Sequence, residues 1–182
     1  MSFPHRLETD RMVLRLYDVH DLEAHVGILS NWDVTQWLSR NVPFPYTLFD
    51  GKKFIEEAIK DFMGGQSFRY AMIDKKTGQH MGGIRVFSLT AEAEIGYWLH
   101  PDYWGRGYGT ELLKGVIGAG FKTGIITRFV AQTMSSNGGS RRILEKVGFI
   151  HEGEVPEDYD REGDCEGCSE FFRLKIENWE NQ

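Results

Sequence analysis

A glycine-rich turn between an extended segment and a helical pattern constrains this chain more than any other feature. The turn reads Trp104-Gly105-Arg106-Gly107-Tyr108-Gly109-Thr110, and it follows the extended segment 94–99. An apolar helical pattern over residues 111–121 begins directly after it. Glycines let a backbone approach a ligand closely, and a helix N-terminus presents unpaired N–H groups with partial positive charge. This order predicts a site for a phosphate-bearing ligand, with a ligand-free turn as the alternative.

The glycine spacing excludes two other phosphate cradles. A dinucleotide-binding fingerprint needs G-x-G-x-x-G after an early strand, whereas this turn reads G-x-G-x-G past the middle of the chain. A nucleotide P-loop ends in G-K-[ST], and that tripeptide does not occur here.

The length of 182 residues favours a single domain spanning residues 1–182. No apolar run approaches the ~20 residues that a membrane span requires, and the N-terminus lacks a signal-peptide core, so we expect a cytoplasmic protein. The net charge of -6 and the lack of a basic run argue against a nucleic acid partner, and the lack of a long apolar run argues against a membrane. Such a surface weakly favours a cationic partner.

The two cysteines, Cys165 and Cys168, form a C-x-x-C within an acidic segment. Zinc would need two further ligands, which no second C-x-x-C or H-x-x-x-H supplies, and the neighbouring carboxylates disfavour a reactive thiolate. We therefore expect two free thiols at a hairpin tip and no metal site.

The remaining pattern predicts a mixed α/β chain, with helices and strands marked by their periodicity and their caps. Helices are expected at 18–29, at 48–64 after a Thr47–Asp50 capping box, at 111–121, and from about 140 to Val147 before Gly148. Strands are expected at 12–17, 68–74, 80–88, 92–99, 128–133, 149–155 and 170–176.

Three ordered segments, 94–99, 104–113 and 137–149, resemble the GNAT superfamily of acetyl-CoA-dependent N-acetyltransferases. Within it the chain is most similar to the branch that acetylates N-terminal amines of ribosomal proteins, and residues 7–15 also suit that branch. The likeness runs from about Leu7 to Lys175. It implies a single-domain α/β fold: a mixed, mostly antiparallel sheet of about seven strands, flanked by helices, with one splayed strand pair forming the coenzyme cleft.

The resemblance implies acetyl-CoA as co-substrate and no metal. It assigns the pyrophosphate to Gly105, Arg106, Gly107, Tyr108, Gly109 and Thr110. Trp104 stands where the family carries Gln or Arg, a small departure because the cradle binds through backbone N–H groups. The Arg106 side chain either adds charge at a phosphate or is solvated.

The resemblance also implies that the strand ending at Leu99 and the strand 128–133 splay apart around the pantetheine arm. Trp98 and Leu99 line that gap, and an N–H near Leu99 holds the thioester oxygen as it becomes an oxyanion. Asn137 and Ser140 complete the coenzyme site. Asn137 has an alternative role as a helix N-cap.

The reaction needs a proton acceptor, because an alkyl amine is protonated at neutral pH. Glu94 lies where several relatives carry a carboxylate base; the alternatives are a solvent-facing Glu94 or a base role for Glu92 or His100. Many relatives carry a Tyr as proton donor to the leaving thiolate, where this chain has Leu144. Ser140 is therefore the candidate acid, or alternatively only a hydrogen-bonding group for the coenzyme.

The acceptor pocket is expected between the N-terminal helices and the last hairpin. Four aromatic residues are its candidates, or else belong to the core: Trp32, Trp37, Phe44 and Tyr46. Four acidic residues of the last loop either attract a cationic acceptor or are solvated: Glu154, Glu157, Asp158 and Asp160. We expect a protein or peptide α-amine as acceptor. A small amine, or a non-catalytic acyl-CoA-binding module, are the alternatives, and both a monomer and a homodimer remain open.

Overall fold

A sheet of eight strands, with helices against both faces, is formed by the residues that the computed structural model describes: 3–65, 67–155 and 169–180. The strands in chain order are β1 (Arg6–Glu8), β2 (Met12–Leu16), β3 (Phe68–Asp74), β4 (His80–Val86), β5 (Glu92–Leu99), β6 (Arg128–Met134), β7 (Ile150–Val155) and β8 (Ser169–Lys175). The helices are α1 (Leu22–Leu29), α2 (Trp32–Thr35), α3 (Leu48–Gly64), α4 (Tyr108–Phe121), α5 (Gly138–Val147) and α6 (Ile176–Glu180).

The strand order across the sheet is β1-β2-β3-β4-β5-β6-β8-β7. Neighbouring strands are antiparallel except β5 and β6, which run parallel. This confirms the mixed, mostly antiparallel α/β sheet that the sequence predicts. The strand that the sequence did not reveal is β1, because three residues are too few to display an alternating pattern.

Local sequence signals set the ends of the helices. Thr47 and Asp50 form the reciprocal capping box that opens α3, and Gly65 ends that helix in a left-handed conformation at φ 67°. The helix expected at 18–29 instead begins as a 3-10 turn over Val19–Asp21, which Asp18 caps. Only then does α1 follow.

The two faces of the sheet have separate apolar cores. On one face, α4 and α5 pack onto the sheet through fully buried residues such as Leu112, Leu113 and Phe129. On the other face, α1 and α3 cover Tyr17 and Ala71. None of the described helices is long and apolar enough to cross a membrane.

The sheet opens between β5 and β6. Their parallel pairing covers only three residue pairs, the last of which is Glu94 with Val130. Beyond that pair, β5 stays paired with β4 as far as Leu99, while β6 stays paired with β8 as far as Met134. The two inner edges therefore diverge, which confirms the splayed strand pair.

Candidate active site

One cleft of about 1300 Å³ extends from the gap between β5 and β6 to the loop that joins α2 to α3. At one end it is lined by the glycine turn and the first turns of α4 and α5. At the other end it is lined by aromatic residues, among them Trp37, Tyr46 and Phe54. Two different sets of groups therefore face a single continuous space.

The glycine turn leaves the start of α4 open to a ligand. Gly105 and Gly107 have φ values of 68° and 81°, a left-handed conformation that glycine adopts without strain. Gly107 is the N-cap of α4, and no side chain of the described residues caps that end. The first N–H groups of the helix, at Tyr108, Gly109 and Thr110, lack partners within the helix and border the cleft. This is the arrangement that binds an anion at a helix N-terminus.

Side chains around the turn fix its position. The Trp104 indole N–H donates to the Leu99 carbonyl at 2.9 Å, which ties the turn to the end of β5. Arg11 pairs with Glu111 at 2.6 Å and also donates to the Arg106 carbonyl at 2.9 Å. Trp104, which stands where the family pattern has Gln or Arg, therefore contributes a hydrogen bond from its own side chain.

The cations near the turn divide between the cleft and the surface. The Arg106 guanidinium is exposed and donates to the Asp102 carbonyl at 3.1 Å, and Arg106 is not among the residues that line the cleft. Arg142 and Lys146, on α5, do line the cleft. The sequence reasoning missed these two cations, although their spacing of four residues places them on one helix face.

The gap-facing edge of β5 carries free hydrogen-bonding groups. Phe87 N–H donates to Glu94 O, and His100 N–H donates to Met81 O, so even-numbered residues of β5 bond to β4. Because antiparallel pairing alternates, Tyr97 and Leu99 direct their N–H and C=O groups towards the gap. The Leu99 carbonyl is taken by Trp104, whereas its N–H faces the cleft.

The backbone groups of Trp98 lie on the other edge of β5, away from the gap. Its backbone belongs to the set that pairs with β4, where it lies opposite Gly83. Its indole ring packs towards α3, 5.8 Å from the ring of Phe54, and also lines the cleft. The structure thus places the Trp98 side chain at the aromatic end of the cleft, away from the edge that is free for an extended ligand.

The start of α5 brings Asn137 and Ser140 to the cleft. The Asn137 carboxamide oxygen accepts from Ser140 N–H at 3.0 Å, which is the N-cap geometry, and both residues line the cleft. The Ser140 hydroxyl lies 3.0 Å from the Tyr97 hydroxyl. Burial raises the pKa of Tyr97 to about 12, and its hydrogen bond with Ser140 opposes that rise. Sequence reasoning missed Tyr97, although it lies within one of the three segments that carry the family resemblance.

Glu94 lies where β5 and β6 part, on the sheet face that carries Arg85. Burial raises the pKa of its carboxyl above the ordinary value, and Arg85 offsets part of that rise. The residues lining the cleft include its neighbours 95–99 but not Glu94 itself. The Glu92 carboxylate is held by Arg128 at 2.7 Å, and His100 accepts from Asp102 N–H at 3.2 Å.

The end of the cleft that is lined by aromatic residues also carries charged groups. Of the four aromatic candidates, Trp37 and Tyr46 line the cleft. Trp32 and Phe44 instead pack on each other at 4.8 Å and are partly exposed. Glu154 is exposed on β7. The other acidic candidates, Glu157, Asp158 and Asp160, and both cysteines lie outside the described residues.

Two arginines lie beside this end of the cleft. Arg69 is buried and pairs with Glu57 at 3.3 Å and with Asp61 at 3.0 Å, so its charge is neutralised. Arg85 lies against the Phe87 ring at 4.4 Å and farther from a carboxylate, 3.7 Å from Asp61. Desolvation lowers the pKa of Arg85, with Arg69 as a second cause.

A buried polar and aromatic cluster forms the wall behind Tyr46. The Tyr46 hydroxyl lies 3.1 Å from His25 Nε2, and His80 Nδ1 lies 3.3 Å from the Asp21 carboxylate. Four buried polar atoms of the cluster have no hydrogen-bond partner within the described part of the chain: Tyr17 Oη, His25 Nδ1, His80 Nε2 and Trp98 Nε1. Burial lowers the pKa of His25 to about 3, so this imidazole is neutral.

Side chains that could bind a metal ion do not cluster in the described part of the chain. Within residues 3–65, 67–155 and 169–180 there is no set of three or more His, Cys, Asp or Glu side chains placed to hold a metal ion.

Comparisons with known proteins converge on one kind of enzyme. The sequence model of a protein family described as an acetyltransferase (GNAT) domain matches residues 11–150. The chain is 29% identical over 157 residues to the Bacillus subtilis (strain 168) protein described as uncharacterized N-acetyltransferase YoaA, covering 81% of this chain and 84% of that protein. It is 35% identical over 69 residues, 38% of each chain, to the Escherichia coli (strain K12) ribosomal-protein-serine acetyltransferase.

The fold has close solved counterparts. Mycobacterium smegmatis RimJ, solved in complex with CoA-disulfide, aligns with a TM-score of 0.82 over 97% of this chain and 91% of its own, at 18% identity. At that identity the likeness shows the fold.

Proposed function

This chain belongs to the GNAT acetyltransferase family and is an acetyl-CoA-dependent N-acetyltransferase, and we propose that it acetylates the α-amine of a protein or peptide. The observation that carries the proposal is one continuous cleft that joins the open N-terminus of α4 to an end lined by aromatic residues, which we take as the acceptor end. An amine entering at the acceptor end reaches the gap between β5 and β6 without leaving the cleft.

The backbone of the cleft suits the coenzyme. We assign the pyrophosphate to the N–H groups at the start of α4, from Gly107 to Thr110. We assign the amide-bearing arm to the free edge of β5, where the Tyr97 N–H and C=O groups are directed towards the gap. Arg142 and Lys146 add positive charge on the α5 side, which favours a ligand with several phosphates.

We assign the base role to Glu94, directly or through one water. Its raised pKa brings the carboxyl closer to the working pH, which improves a general base. The amine nitrogen attacks the thioester carbon, and the Leu99 N–H donates to the oxygen as negative charge develops there. The C–S bond then breaks, its electron pair goes to sulfur, and Ser140 is the hydrogen-bond donor for that sulfur.

The choice of acceptor rests on the acceptor end and on the relatives. The cleft continues past the gap into a space bordered by the α2–α3 loop, which leaves room behind the amine. The Escherichia coli relative acts on a ribosomal protein according to its name. These observations favour a peptide-borne amine over a free small amine.

The test is an acceptor screen with the purified chain and acetyl-CoA, read by thiol release and by product mass. Peptides with free and with blocked α-amines form the matched pair, and polyamines and amino acids form the second panel. Acetylation of the free α-amine alone is the expected result. Turnover only on small amines would overturn the choice of acceptor. Coenzyme binding without turnover on any amine would instead indicate a binding module.

A further inference from the structure

Two hydroxyl groups meet across the opening of the sheet. Tyr97 belongs to β5 and Ser140 to the first turn of α5, and their oxygens lie 3.0 Å apart. Both residues line the cleft at the point where the two strands diverge. The contact joins residues 43 positions apart, so it exists only because the fold brings β5 under the start of α5.

The hydrogen bond between the two hydroxyl groups leaves one of their hydrogens unused. Each hydroxyl carries one hydrogen and two acceptor sites, so one hydrogen bond between two hydroxyls uses one hydrogen and leaves one free. Among the described residues, the structure records no other partner for the Ser140 hydroxyl. The remaining hydrogen is therefore available to a third atom in the cleft.

The direction of the bond decides where that hydrogen points. The geometry allows either hydroxyl to donate. Because a phenol is intrinsically more acidic than an aliphatic hydroxyl and is the better donor, we assign the bond the direction from Tyr97 Oη to Ser140 Oγ. A serine within a helix otherwise tends to donate to a carbonyl of the preceding turn. Accepting from Tyr97 leaves the Ser140 hydrogen to point into the cleft.

We propose that Tyr97 is a positioning residue, whose hydroxyl orients Ser140 so that Ser140 donates to the departing sulfur. The inference rests on the proposed function and adds a residue to it. As the C–N bond forms and the C–S bond breaks, the electron pair goes to sulfur, and the Ser140 O–H stabilises that thiolate by a charge-assisted hydrogen bond. Ser140 and Tyr97 keep their hydrogens, and the proton lost by the amine goes to Glu94.

The direct test is Tyr97→Phe, which removes one oxygen and keeps the ring in its core position. We expect kcat to fall about ten-fold, because an oriented hydrogen bond to a charged atom is lost. The Kd for coenzyme A, measured by calorimetry, and the KM for acetyl-CoA should stay within about two-fold. A role in packing alone would raise KM or weaken binding without this selective fall in kcat.

Ser140→Ala and the double variant complete the cycle. Ser140→Ala keeps the backbone N–H that Asn137 holds, so α5 retains its cap. We expect it to lower kcat at least as much as Tyr97→Phe does, and the double variant to be no slower than Ser140→Ala alone. Additive losses in the double variant would overturn the proposal, because they would mean that Tyr97 acts independently of Ser140.

Tyr70→Phe is the matched control. Tyr70 lies on β3, away from the cleft, and its hydroxyl donates to the Pro4 carbonyl. Full kcat is therefore expected. If Tyr97→Phe fails to fold, Ser140→Ala alone decides the matter, since unchanged kcat in that variant would exclude the hydroxyl pair. Absence of turnover in the unaltered protein refutes the proposed function instead, and an active protein with a fully active Tyr97→Phe variant refutes only this inference.

Discussion

At the scale of single residues, burial raises the pKa of Glu94, the residue that we propose as the base. Glu94→Gln should lower kcat/KM about 100-fold, because proton removal from the amine loses its acceptor. The carboxylate form is the active one, so activity should fall as pH drops through the Glu94 pKa, which burial places above the ordinary value. Rates measured across pH should lose that acidic limb in the variant.

The control for this prediction is Glu56→Gln, an exposed position on α3. It should retain both the rate and the pH profile of the unaltered enzyme. If Glu94→Gln keeps the acidic limb, the limb belongs to another group, and Glu92 or His100 becomes the better base.

His25 illustrates the opposite effect of burial at a residue. Its folded-state pKa of about 3 lies below the ordinary value near 6.5, so below about pH 6.5 the unfolded chain binds a proton that the folded chain excludes. The free energy of unfolding should therefore decrease as pH falls, and His25 should contribute about 2 kcal/mol to that decrease between about pH 7 and pH 5.

Urea unfolding at these two pH values measures that loss. His25→Gln, which keeps an acceptor near Tyr46, should show a smaller difference. The nearby charges that share the cluster, Asp21 and Arg69, are the same in both proteins. An equal pH dependence in the two would place the effect elsewhere.

At the scale of elements, the glycine turn couples backbone conformation to ligand binding. Gly107 has φ 81° at the start of α4, so Gly107→Ala should cost about 1 kcal/mol of stability. The same strain shifts the N–H groups of the cradle, and we expect coenzyme A to bind roughly ten-fold more weakly. Calorimetry and urea unfolding measure the two effects.

Gly27→Ala is the matched substitution within a helix. A Cβ there meets no atom within 4 Å, so the change should leave coenzyme binding intact and raise stability by up to about 1 kcal/mol. Equal losses of binding in both variants would show that the turn conformation is not what holds the coenzyme.

The elements also show what a sequence can predict here. The strand β5, the glycine turn and the caps of α3 and α5 are set by residues close in the chain, and the sequence was sufficient to predict them. The sequence was not sufficient to predict the Tyr97–Ser140 contact or the wall behind Tyr46. They depend on where the sheet opens and on four separate segments meeting, which local periodicity does not encode.

At the scale of the whole molecule, the protein consists of two half-sheets that share only three residue pairs between β5 and β6. A ligand arm bound along the open edge of β5 acts as a partial extra strand. Coenzyme A should therefore protect backbone amides in an alternating pattern. The N–H group of Tyr97 gains a partner, whereas those of Gly96 and Trp98 are already bonded to β4.

Residue-resolved hydrogen exchange with and without coenzyme A measures this pattern. We expect slowed exchange at Tyr97 and the first turn of α4, with little change at Gly96 and Trp98. Uniform slowing along β5 would mean that the ligand only stabilises the sheet globally. Alternation would mean that the coenzyme completes the sheet where the protein leaves it open, which couples cofactor binding to the geometry of the reaction site.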